Sequence, residues 1–108
     1  MLGRRSLAGA LLLLAVAAHA EDLPVFRVVF KDGTIAPTRI QAPAGKRFKL
    51  EVVNAGKTPV EFESLPLRKE KVLGPGVTSF VVIKASQAGE YPFFDDFHQQ
   101  ARGVIVIK

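Results

Sequence analysis

The chain has no cysteine and no tryptophan, and its single methionine is Met1. These absences remove whole classes of chemistry. Without cysteine there is no disulfide, no thiolate nucleophile, no iron–sulfur cluster and no zinc–thiolate site. With Met1 the sole thioether, residues 2–108 offer a metal ion no soft sulfur ligand. Histidine is scarce too: His19 and His98 are the only two. A hydrolase built on a nucleophile with a paired base is therefore not expected, and no such pair is visible. Helical periodicity is also missing beyond the first twenty residues. Basic residues are scattered rather than interleaved with aromatics, which argues against a nucleic-acid surface.

The one long apolar run lies at the start. Met1 to Ser6 includes Arg4 and Arg5, Leu7 to Ala18 is apolar, and Ala18-His19-Ala20 precedes Glu21. A basic start, a short apolar stretch and a small-x-small site describe a secretory signal peptide. The run is short for a membrane span, so an uncleaved anchor is the weaker alternative. The expectation is a signal over residues 1–20, cleaved after Ala20, and a single domain over residues 21–108 exported to the periplasm. That domain carries 13 basic and 10 acidic residues, a net charge of +3, because Arg4 and Arg5 leave with the signal. A domain this small holds one core. Without disulfides it must rely on packing or on a bound metal.

Strand patterns fill the rest. Val25 to Phe30 is aromatic and β-branched, and Lys31 to Thr34 is a turn. Ile35-Ala36-Pro37 is an extended bridge, because a proline keeps the residue before it out of the helical region. Thr38 to Ala42 is a second short strand. Arg47 to Val53 alternates, with Phe48, Leu50 and Val52 inward. Asn54 to Pro59 is a polar turn. Val60 to Glu63 alternates again, so Glu61 and Glu63 share one face while Phe62 points to the core. Leu65 to Glu70 reads as irregular or a short edge strand. Val77 to Ile83 is apolar enough to lie between sheets or under a loop. Strands at Tyr91 to Phe94 and Gly103 to Lys108 close the chain. About seven strands with Gly and Pro turns between them indicate an all-β sandwich or small barrel.

Between the last two strands stands Phe94-Asp95-Asp96-Phe97-His98. Two carboxylates and an imidazole in a loop at the end of a sheet suit a metal site, since imidazole and carboxylate oxygen are common ligands. The same residues would also serve as a plain solvated loop.

Several segments resemble one family. Ile35 to Gly45, Leu50 to Asn54, Gly74-Pro75-Gly76, Gly89 to Phe94 and Gly103 to Val106 resemble, in order and spacing, the cupredoxins. The resemblance implies a Greek-key β-sandwich with a metal site at one end. In the blue-copper members a Cys-x-x-His follows the penultimate strand. Here that place reads Asp95-Asp96-Phe97-His98, with Asp95 at the thiolate position. The upstream histidine would fall near Val60 or Glu61, and the axial methionine near Ala101 or Arg102. Neither is present, so blue-copper electron transfer, which needs two histidines and a thiolate, is not expected.

Val60 to Ser64, Arg68 to Val72 and Asp96 to His98 further resemble periplasmic cupredoxin-like proteins of bacterial iron uptake. They are similar to the cupredoxin domain of the periplasmic component of a ferrous iron transporter. That resemblance implies iron or copper binding, an inner-membrane iron permease and a periplasmic iron-binding protein as partners, and possible assistance to ferrous iron oxidation. The candidate ligands are His98 and Asp96 first, then Glu63, Glu61 and Asp95, and last Glu70. Such a set suits Fe(II), Fe(III), Cu(II) or Mn(II). The alternatives are a periplasmic copper-binding protein and a metal-free module that docks a membrane partner.

Overall fold

Residues 22–108 are described by the computed structural model; the expected signal peptide lies outside the described residues. The first strand, β1 (Val25–Lys31), buries Val28 and Phe30 completely. Asp32 and Gly33 then take φ values of 45° and 94°. Two consecutive left-handed residues match the twist of a tight hairpin, and Asp-Gly tolerates them at low cost. The chain returns as β2 (Thr34–Ala36), antiparallel to β1. It then crosses to the other layer as β3 (Arg39–Ala42). Next come β4 (Phe48–Asn54), β5 (Val60–Ser64), β6 (Lys69–Leu73) and β7 (Thr78–Ile83). The chain closes with β8 (Gly89–Asp95) and β9 (His98–Ile107).

These strands form two sheets, ordered β2-β1-β4-β7 and β3-β9-β8-β5-β6. The β1–β4 and β3–β9 pairs are parallel and the rest antiparallel. The expected all-β Greek-key sandwich is found, with nine strands rather than about seven. Two segments account for the difference. Thr34–Ala36, expected as the end of a turn and the start of an extended bridge, hydrogen-bonds back onto β1, and Lys69–Leu73 pairs along all of β5. The final strand also starts five residues earlier than expected, at His98. One expectation is corrected. Val77 to Ile83 does not lie between the sheets: β7 is an edge strand, and Phe80 is half exposed under the ammonium of Lys49, 4.4 Å from the ring centre.

The core is built on aromatic contact between the layers. Phe30 comes from the first sheet and Phe62 and Phe93 from the second; all three are fully buried. Their ring centres lie 5.3 to 6.5 Å apart. Each such ring contributes about 1.5–3 kcal/mol by leaving water, so a few aromatics supply what absent disulfides cannot. Phe93 has room only because its partner on β9 is Gly103. A β-carbon at Gly103 would run into the tip of the Phe93 ring and lie 2.8 Å from Cε2.

Asn54 ends β4 as a buried knot. Its Nδ2 donates toward the carbonyls of Thr58, Leu73 and Gly74 at 2.9, 3.2 and 3.0 Å. Its Oδ1 accepts from the Gly56 amide at 3.0 Å. One side chain thus holds two loops, β4–β5 and β6–β7, at one end of the sandwich.

The clash at Gly103 sets a testable outcome. Gly103→Ala should cost about 1–3 kcal/mol in urea unfolding, the usual range for overpacking a filled core. Adding Phe93→Leu should make the double variant more stable than the sum of the single losses. Simple additivity would show that Phe93 does not need the glycine.

Candidate metal centre

The β8–β9 turn has only Asp96 and Phe97 at its tip, since Asp95 pairs with His98 across it. Asp95 is 1% exposed. A carboxylate that deep must find donors for its oxygens. Oδ1 accepts from the amides of Phe97 and Glu61, both at 3.0 Å. Oδ2 lies 2.8 Å from Nδ1 of His98, so Nδ1 carries the proton and donates. The Asp96 amide in turn donates to the Glu61 carbonyl at 2.8 Å. The turn is thereby fastened to the start of β5.

His98 is fixed at Nδ1 by Asp95, and its other nitrogen makes only a longer contact, because the one hydroxyl proton of Thr58 goes to Asp32. Its Nε2 stands 3.4 Å from Oγ1 of Thr58. That hydroxyl donates to Asp32 at 2.9 Å, and the same Asp32 oxygen accepts the amides of Lys57 and Thr58 at 2.9 and 3.1 Å. These bonds, the Lys57 amide first, hold the Asp32 carboxyl below its ordinary pKa. The chain Asp95–His98–Thr58–Asp32 links the tip of the β1–β2 hairpin to the β8–β9 turn. Asn54, Thr58 and Asp32 were not expected in this region as functional or organising residues. An Asp-Gly turn after a strand was the available signal, but nothing in the sequence pairs Asp32 with residues 57 and 58.

A second cluster forms beside the first. Strand alternation places Glu61 and Glu63 on the face of β5 opposite buried Phe62, as expected. Brought over by the fastened turn, Asp96 offers a carboxylate oxygen that lies within 4.8 Å of one from each glutamate. Glu70 is paired with Glu63 across β6. None of these four carboxylates has an ion-pair partner among the described residues. Partial burial, a hydrogen bond and charge from Glu70, and the charges of Asp96 and Glu63 push Glu61 from 4.5 to about 7. Glu63 is also raised, first by partial burial, then by Asp96 and Glu70.

The six expected ligands thus separate. Glu61, Glu63 and Asp96 converge and Glu70 adjoins them. Asp95 and His98 bind each other, and His98 contributes no atom to the converging set.

This arrangement bears on which metal the residues fit. A soft copper centre does not fit at the Asp95 position: there is no sulfur, and both Asp95 oxygens are engaged. Three convergent carboxylates that repel one another fit a hard or borderline cation.

The brace can be tested apart from any metal. Asp95→Ala strands the Glu61 and Phe97 amides and unties His98. It should lower stability in chemical unfolding by at least about 1–3 kcal/mol, the cost of one orphaned buried group. An unchanged midpoint would mean that the turn holds itself without Asp95.

Comparison with known proteins agrees with the fold. A family model described as a cupredoxin-like domain matches residues 5–107. An uncharacterized protein of Rickettsia prowazekii is 32% identical over 82 residues, 75% of this chain; the chain spans 66% of that relative's length. Among solved structures, the metal-binding domain of the Streptococcus pneumoniae Cu(I)-exporting P-type ATPase superposes with a TM-score of 0.72 at 14% identity, covering 84% of this chain and 92% of that one. A purple cupredoxin from Nitrosopumilus maritimus superposes with a TM-score of 0.59 at 16% identity, covering 81% and 100%. At those identities the two structures speak for the fold. The family model matches nearly the whole sequence: this chain belongs to the cupredoxin-like domain family.

Proposed function

We propose that the protein binds a hard or borderline metal cation through Glu61, Glu63 and Asp96, with Glu70 beside them, and serves as a periplasmic accessory of iron uptake. The observation that carries this reading is the convergence of three carboxylates without a counter-cation at the turn where the family's metal loop stands. Iron would be the cargo. An oxygen-only set prefers Fe(III) to Fe(II), so it would favour iron in its oxidised form. Asp95 and His98 act as the brace that holds Asp96 against Glu61. Handover to an inner-membrane iron permease, with a periplasmic iron-binding partner, follows from the resemblance of Val60 to Ser64 and Asp96 to His98 to such systems.

A second reading rests on the copper proteins among the structural neighbours. Here the same oxygen ligands would take Cu(II) without forming a blue centre.

Titration calorimetry separates these readings. Cu(II), Mn(II) and, without oxygen, Fe(II) would be titrated into the wild type, Glu61→Gln, Glu63→Gln, Asp96→Asn and His98→Ala. Each carboxylate change should weaken binding roughly ten- to a hundredfold, as expected for losing one charged partner. His98→Ala should weaken it less. If His98→Ala abolishes binding, the imidazole belongs in the ligand set. If no metal binds, the fold serves as a metal-free docking module.

The crowded carboxylates also fix a pH trend. Glu61 has a higher pKa in the folded state than in the unfolded state, so the folded state holds the proton longer. Stability should therefore fall as pH rises from 4.5 through about 7. Glu61→Gln should flatten that slope, and saturating metal should raise the melting temperature more at pH 7.5 than at pH 5. A slope unchanged in Glu61→Gln would place the repulsion elsewhere.

A further inference from the structure

The end of the sandwich away from the carboxylates carries a group of cations, with the acids Asp22 and Glu90 outside it at the same end. There a surface groove of about 420 Å³ is lined by Pro24, Gly45, Lys46, Arg47 and Lys84. The three cations are exposed, and the lining includes no acidic residue. The backbone beneath is firm. The Gly45 amide donates to the Ala85 carbonyl at 2.8 Å, and the Lys49 amide to the Pro24 carbonyl at 2.8 Å. A fourth cation, Lys108, belongs to the same end, its amide bonded to the Ala42 carbonyl at 3.1 Å. The cations are thus grouped on a rigid edge rather than on a loose arm. Strand β4 leads from this edge to Asn54, so the groove and the carboxylate end are about 20 Å apart at the usual rise per residue.

The place where the chain enters is the second observation. Pro24 forms one wall of the groove, and only five residues separate it from the apolar run Leu7 to Ala18 with Arg4 and Arg5 before it. A bilayer that receives that run would meet the domain at this edge. Lys46, Arg47 and Lys84 would then lie against lipid phosphates, a surface that attracts clustered basic residues.

We propose that the Lys46–Arg47–Lys84 edge docks the domain on an anionic phospholipid surface. The proposal does not depend on a metal. It rests on the grouped cations and on the entry of the chain beside them at Pro24.

Vesicle co-sedimentation tests it with the full chain at low ionic strength. Vesicles of phosphatidylcholine alone would be compared with vesicles containing one third phosphatidylglycerol. Any affinity of the apolar run acts on both, so the difference between them reports the cations. The wild type should bind the anionic vesicles more tightly, and the advantage should shrink as salt is raised. Lys46→Glu/Arg47→Glu/Lys84→Glu should reduce that advantage roughly a hundredfold, at about fivefold for each lost cation. Lys31→Glu/Lys57→Glu, at the opposite end, should retain most of it. Circular dichroism checks folding, and the milder Lys84→Gln should show a partial loss if the triple variant misfolds. Equal binding to both vesicle types would overturn the proposal, as would equal loss in the Lys31/Lys57 variant. Displacement by millimolar inorganic phosphate at constant ionic strength would make the groove a free-anion site and also overturn docking.

Discussion

The buried carboxylate of Asp95 is the constraint on which the functional end of this protein depends. A nearly inaccessible acid is costly unless each oxygen is met by a donor. Asp95 meets that demand with two backbone amides and one imidazole nitrogen. Its donors come from β5, from the turn tip and from the first residue of β9. Satisfying one charge therefore fixes three pieces of chain at once. By the resemblance to blue-copper cupredoxins, this is the position that would carry the thiolate.

Satisfying Asp95 in this way places the chemistry outward. With Asp95 and His98 committed to each other, the acids still free to meet a cation are those on the solvent side of β5 and the turn. Asp96 is drawn to Glu61 by its amide bond to the Glu61 carbonyl, and Glu63 lies on the same face of β5. Partial burial first, and then their mutual repulsion, raise the pKa of Glu61 and Glu63. A folded state that holds like charges close gives up some stability at neutral pH, and a cation between them would restore it. The interior needs no help from that end. Phe30, Phe62 and Phe93 lock the two sheets together, with Gly103 leaving room for the last of them.

Much of this was legible in the sequence because it rests on alternation. Phe48, Leu50, Val52 and Phe62 declare their inward faces by period-two spacing, and that same period puts Glu61 beside Glu63. Glu61 and Glu63 could be grouped for that reason, whereas Asp96 was named for its place in the loop beside His98 and Glu70 for the resemblance of Arg68 to Val72. What sequence could not supply is pairing between distant segments. Whether His98 reaches Asp96 or Asp95 depends on a turn of two residues and on amides from β5, a strand more than thirty positions away. The links from Asp32 to Thr58 and from Asn54 to Leu73 are likewise products of the assembled sandwich. Strand β6 was obscured because its charged Lys-Glu-Lys run resembles loop, and only its register with β5 makes it a strand. Strand β7 misled for the opposite reason. Its apolar run suggested burial on both sides, whereas Lys49 covers part of its outer face.

The central claim is that the metal site is made of carboxylate oxygens while His98 serves as a brace. Pulsed electron paramagnetic resonance on the Cu(II)-loaded protein examines it most directly, because a coordinated imidazole imprints the modulation of its remote nitrogen on the copper signal. At one equivalent of copper the account predicts an oxygen-coordinated spectrum without that modulation, unchanged in His98→Ala and lost in Glu61→Gln/Glu63→Gln. Strong imidazole modulation in the wild type that disappears in His98→Ala would contradict it.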